Sequence, residues 1–187
     1  MNLLSFVYYR IPVILLTGIL FSCVNDLDAI QRVTYDPKAP DQVTENLELI
    51  YTDSGYVRVK VRAEYAEAYY KPKQVTKLRR GLKVDFYNET GIVVSTLTAQ
   101  YGEVDHATGK MLVRDSVNLK NLAKEQLLET EELWWNQNDS TIYTDKNVYV
   151  TSPTESGYGQ GIRTTQSFDT YKILNPVATI GADRDKK

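Results

Sequence analysis

The stretch Val57-Arg58-Val59-Lys60-Val61-Arg62 sets a valine on every odd position and a base on every even one. Strict period two puts the three valines on one face of an extended chain and the three cations on the other, which predicts a strand with one buried face. The turn sequence Asp53-Ser54-Gly55 precedes it, and a short strand from Leu47 to Tyr51 is expected before that turn. Downstream, Leu82, Val84 and Phe86 alternate with Lys83, Asp85 and Tyr87. Asn88-Glu89-Thr90-Gly91 then supplies a turn and Ile92 to Ala99 returns, so this segment reads as a hairpin. Further alternating runs fall around Met111, Val117, Leu128, Leu133, Ile142, Val148, Ile162, Ile173 and Val177. Their spacing of about 5–15 residues argues for an all-β sandwich, barrel or jelly roll. One helix is expected, between Glu64 and Tyr70, limited by Pro72.

An internal repeat supports the β reading. The segment from Leu97 to Leu119 lies without gaps on Leu128 to Val150, shifted by 31 positions. Leu97 falls on Leu128, Val104 on Trp135, Met111 on Ile142, Val117 on Val148 and Leu119 on Val150, with Thr108-Gly109 over Asp139-Ser140. A looser third copy is expected from near Gly161 to near Ile180, with Val177 29 positions after Val148. Repeated strand units that cannot bury their faces alone must stack on one another. The expected product is a meandering β structure whose ends are open edges.

The amino end has a different character. Ile11 to Phe21 is an almost wholly apolar run of 11 residues, preceded by Arg10 and followed by Asn25-Asp26-Leu27-Asp28. A spanning helix needs about 20 residues, whereas the apolar part of a secretory signal needs about 7–15. The run closes on Leu20-Phe21-Ser22-Cys23, which resembles the lipobox of bacterial lipoproteins, with the lone cysteine as the lipidated first residue. The competing reading is a buried cysteine at the end of an apolar helix. On the lipoprotein reading the chain divides into a signal peptide (1–22), a lipidated start and tether (23–46), a folded domain (47–181) and a charged tail (182–187).

Cleavage before Cys23 leaves 165 residues, enough for one domain with a sizeable core. It also leaves 24 acidic and 21 basic side chains, a formal charge of −3, which argues against nucleic acid as a partner. With its one cysteine carrying lipid, the chain has no disulfide to make. Tyrosine is heavily used, 14 against 4 phenylalanines, as suits sheet faces that are apolar in body and wet at the tip. Chemistry finds little support. His106 is the only histidine and sits in a turn, so no catalytic group, metal site or cofactor is expected. Glu131 and Glu132 are expected to alternate across a strand and not to converge on one substrate.

Three longer motifs carry a family resemblance: Tyr51 to Tyr69 (YTDSGYVRVKVRAEYAEAY), Arg80 to Asp105 (RGLKVDFYNETGIVVSTLTAQYGEVD) and Leu127 to Val150 (LLETEELWWNQNDSTIYTDKNVYV), followed by GQGIRTT from Gly159 to Thr165. In order and spacing they resemble the LptC component of lipopolysaccharide export, in a lipoprotein form. The resemblance implies a twisted, incompletely closed antiparallel β-jellyroll whose apolar interior shields the acyl chains of lipopolysaccharide. It implies lipid arriving from an inner-membrane ABC extractor and leaving to the next periplasmic jellyroll through edge-strand pairing. It also implies a place on the periplasmic side of the inner membrane. Better-known members of the family carry a transmembrane helix, which on the lipoprotein reading an acyl anchor on Cys23 replaces.

On this reading the trough is lined by the apolar parity of the strands: Val57, Val59, Val61, Leu82, Val84, Phe86, Met111, Val113, Val117, Leu119, Ile142, Val148 and Val150. The same side chains serve equally as an ordinary core. Lys71, Lys73, Lys77, Arg79 and Arg80 form a basic cluster suited to phosphates or anionic headgroups, or simply to solvent. Trp134 and Trp135 must face opposite sides of a strand, so one is expected inside. The alternative function is an envelope lipoprotein whose β-sandwich binds glycans or scaffolds an assembly, with a filled interior and with aromatics and carboxylates displayed outside.

Overall fold

Alternation becomes strand throughout the domain. The computed structural model describes Asp36 and residues 38–181. The expected signal peptide, the lipidation at Cys23, most of the tether and the charged tail lie outside the described residues. The strands are β1 (Gln42–Asp53), β2 (Tyr56–Tyr69), β3 (Val75–Tyr87), β4 (Val93–Ala99), β5 (Tyr101–Asp105), β6 (Lys110–Asn121), β7 (Gln126–Asn136), β8 (Thr141–Thr151), β9 (Glu155–Thr165) and β10 (Tyr171–Gly181). They form one antiparallel sheet in the order β1-β2-β3-β4-β6-β7-β8-β9-β10, while β5 continues the line of β4 and bridges β3 and β6. Among the described residues β1 and β10 each pair with a single neighbour, so the sheet they form is a meander that does not close.

A row of irregularities crosses this sheet at one level. Pairing skips Asn46 and Glu64 between β1 and β2, where Asn46 has φ 54°. On β3 the row passes through Arg80 and Gly81, at φ 63° and 93°, and it separates β4 from β5 at Gln100. On β6 it takes Asp115 and Ser116, at φ 67° and 56°. It then crosses Glu131 on β7, Asp145 and Lys146 on β8, Gly161 (φ 78°) on β9 and Leu174 on β10. Bulges bend and twist the strands that carry them. Aligned across neighbouring strands, they fold the sheet along a single crease, and the two halves pack face to face.

The crease also resets which residues face inward. On β2 the buried positions are Val59, Val61 and Ala63 before it and Ala66 after it. On β7 they are Gln126 and Leu128 before it and Leu133 and Trp135 after it. One apolar core, from Val59 to Phe168, draws on both halves.

Three expectations need correction. Glu64 to Tyr70 is not helical: through Tyr69 it is the second half of β2, and the Ala63–Ala66 spacing reflects the bulge between them. β1 begins at Gln42, five residues before the expected Leu47, because Gln42 to Glu45 pair with Tyr65 to Ala68 of that same extended β2. The third repeat is the β9–β10 hairpin, but Val177 does not match buried Val148. It is 73% exposed at a second irregularity of β10. The first two copies hold. β4–β5–β6 and β7–β8 superpose turn on turn, with Gly109 and Ser140, 31 apart, both at positive φ.

Candidate functional site

Twelve of the thirteen residues expected to line the trough are buried and point into the fold; Val57, near the start of β2, is half-buried. Nine of the twelve come from the half of the sheet that holds the β3–β4 turn. Met111, Val113 and Ile142 come from the facing half. The structure adds Leu78, Leu97, Leu128, Leu133, Trp135 and Phe168 to this interior. The leucines and Trp135 sit at apolar strand positions and could have been found by parity once the crease is placed. Phe168 carries no such signal, because it lies in the turn between β9 and β10. In this conformation the interior is filled by its own side chains.

Opposite the crease, the turns of one half meet the turns of the other along a seam. Tyr51 and Phe86 reach across to Trp135, with ring centroids 6.0 and 5.6 Å away and edge-on geometry. Burial raises the pKa of the Tyr51 phenol. The β9–β10 turn closes the rest. Asn121 Nδ2 donates to the carbonyls of Ser167 (2.9 Å) and Phe168 (3.3 Å) and to Asp169 Oδ1 (3.1 Å). Its Oδ1 accepts from the amides of Ala123 and Lys124, so one buried side chain ties the β6–β7 turn to the β9–β10 turn. The Ser95 hydroxyl donates to the Gln166 carbonyl and Lys124 Nζ to that of Asp169. A hollow lies on each side of this turn, one lined by Lys124, Gln126, Asp169 and Tyr171, the other by Tyr51, Arg58, Trp135 and Gln166.

The basic cluster lies outside, at the β2–β3 turn and along β3. Lys71 and Lys73 are exposed, but the other three are already engaged. Lys77 stands over Tyr69 and Arg80 over Tyr65, each with its charge 4.6 Å from the ring centroid. Arg79 Nε pairs with Glu67 at 2.9 Å. Asp85, missed as a feature from sequence, is a buried carboxylate on the outer side of β3. Burial alone would raise its pKa, yet the Thr96 hydroxyl at 2.9 Å, Lys83 at 3.2 Å and Arg62 together hold it below the usual carboxylate range.

Of the tryptophan pair, Trp135 is inside, at 5% exposure, and Trp134 is on the outer face, parallel to Tyr143. A shallow hollow beside them is lined by Glu131, Glu132, Asp145 and Gln160, so the kink at Glu131 brings to one face the two glutamates expected to alternate. The His106 ring hydrogen-bonds the Thr76 hydroxyl at 2.8 Å in an exposed turn. Among the described residues there is no group of three or more histidine, cysteine or carboxylate side chains placed to hold a metal ion.

The described residues thus form one folded open sheet around one apolar interior. Residues 11–181 match the family model for lipopolysaccharide assembly, LptC-related. The chain belongs to the LptC family. Its open, all-antiparallel sheet agrees with the jellyroll of that family. LptC proteins serve lipopolysaccharide transport in the periplasm, in association with the inner membrane. No curated protein matches the chain at a significant level.

Proposed function

We propose that this LptC-family chain is anchored by lipid on Cys23 at the periplasmic face of the inner membrane and carries lipopolysaccharide without performing chemistry. It takes the lipid from an inner-membrane ABC extractor and passes it to the next jellyroll of a periplasmic bridge. The supporting observation is one continuous apolar interior in a sheet whose two ends, β1 and β10, are unpaired edges among the described residues. Free backbone donors and acceptors on an edge add readily to the edge of another sheet. An acyl chain gains about 0.8 kcal/mol for each CH₂ it buries, so the lining from Val59 to Val150 needs no polar recognition to hold it. Of the basic cluster, Lys71 and Lys73 are the best placed to meet phosphates, since their three neighbours have partners of their own.

Photo-crosslinking residues placed at Val59, Phe86 and Ile142 in cells test the interior. Lipopolysaccharide adducts there, absent at Arg58 and Lys83, are expected; equal labelling of both faces would sink the carrier reading. Cys23→Ala is expected to abolish incorporation of labelled fatty acid, and unchanged incorporation would refute the anchor.

One observation favours a second reading, in which the domain binds glycans from outside. The interior is filled, and Trp134 and Tyr143 stand beside Glu131, Glu132 and Asp145 on the outer face. A crosslinker at Trp134 that captures glycan, with the interior positions silent, would decide for it.

A further inference from the structure

We infer that acyl chains reach the interior through the seam at the β9–β10 turn, with Phe168 as the plug of this portal and Asn121 as its latch. The inference rests on the carrier reading and adds where the ligand gets in and what holds it there. The crease is crossed by eight of the ten strands, so the halves cannot part there without breaking them. Opening at the seam breaks no ladder, because the two halves meet there through side chains and turns. Among the described residues, the hydrogen bonds that cross the seam all run through residues 166–171: Ser95 to Gln166, Asn121 to Ser167, Phe168 and Asp169, Lys124 to Asp169, and Tyr171 to Glu155. One short turn therefore carries every hydrogen bond of the closure, beside the packing of Tyr51 and Phe86 on Trp135.

That turn is held under tension. Phe168 is fully buried, 0% exposed, and sits at φ 52°, in the left-handed region that a bulky residue avoids. Its ring adds to the interior in the space an acyl chain would use, so the protein fills its own portal. Among the described residues, two buried donors lack partners, Gln126 Nε2 and Trp135 Nε1. Each belongs to a residue lining one of the two hollows that flank the turn. An unpaired buried donor costs about 1–3 kcal/mol. The carbonyl oxygen that joins an acyl chain to its headgroup, ester or amide, is the acceptor both sites lack. The ligand class is thus a chain whose apolar tail replaces Phe168 and whose linking carbonyl meets Gln126 or Trp135 at the mouth.

The test uses the full chain with Cys23→Ala, with and without Ser95→Cys plus Gln166→Cys, and lipopolysaccharide labelled with a fluorophore on its sugar. Oxidation should staple the seam and stop loading, and reduction of the same sample should restore it. Asn121→Ala, which cuts the latch, should load about fivefold faster, the worth of one net hydrogen bond. Loading of the stapled protein at the unstapled rate, or no gain in Asn121→Ala, overturns the portal and leaves the carrier reading standing. If Cys23→Ala alone takes up no lipopolysaccharide, the carrier reading falls and the portal with it.

Discussion

The indole of Trp135 meets the ring of Phe86 edge-on, at 5.6 Å and 73°, although the two residues stand on opposite halves of the folded sheet. Edge-on aromatic pairs contribute beyond the area they bury, and this one pins the halves together near the seam. Trp135→Ala is expected to cost about 3–5 kcal/mol. Trp135→Phe should cost far less, because among the described residues the indole N–H has no partner to lose. Urea unfolding checks both, with the midpoint moving and the slope unchanged.

Asp85 gives the domain an acid-sensitive contact. Its folded pKa lies below the unfolded value, so its contribution is complete above the ordinary aspartate pKa of about 3.9. It is lost as the pH falls from there through the folded value. Asp85→Asn should lower stability at pH 7 by about 2 kcal/mol, since three donors lose a charged acceptor. The difference from wild type should shrink below pH ~4. Thermal melts across that range measure it.

Gly159 is where β10 lies tightest on β9. A Cβ there would stand 2.5 Å from the Asn175 carbonyl oxygen and 2.9 Å from Pro176 Cα, both backbone atoms that cannot step aside. Gly159→Ala should loosen β10, at a cost of about 1–3 kcal/mol, and raise amide exchange in residues 171–181. Gly81→Ala makes a useful contrast. It has open space around it but φ 93°, so only the backbone penalty applies, about 1 kcal/mol.

One side chain reinforces the backbone hydrogen bonds of the β3–β4 turn. Asn88 Oδ1 accepts from the amides of Thr90 and Ile92 and from the Thr90 hydroxyl. Asn88→Ala is expected to cost about 1 kcal/mol, and Asn88→Asp, which keeps the acceptor, should cost less. Chemical denaturation of the two variants compares them directly.

Much of this architecture can be read in the chain because a strand with one wet face announces itself, as Val57 to Arg62 does. The hairpins, the 31-residue repeat and most of the interior follow from that alternation. The crease does not. Its residues include Glu64, Glu131 and Lys146, ordinary polar side chains that look like any outward position. A bulge leaves no mark on composition unless a glycine sits in it, as Gly81 and Gly161 do. Parity carried across it then goes astray, which is why alternation alone could not choose between Trp134 and Trp135. It is also why the second half of β2 resembled a helix. The seam was hidden for another reason: Asn121 and Phe168 lie 47 positions apart and meet only when the sheet is folded in two.

The crease also governs which changes of length this chain survives. Each kink is matched to the kinks beside it, so every strand is measured twice, from turn to kink and from kink to turn. A residue added to an exposed turn such as Ser152 to Thr154 leaves both measures intact. A residue deleted between Val57 and Glu64 moves the segment out of step with two neighbours at once and carries its apolar side chains to the wet face. Descendants of this sequence should therefore differ in length at their turns and agree, to the residue, on the distance from each turn to the kink.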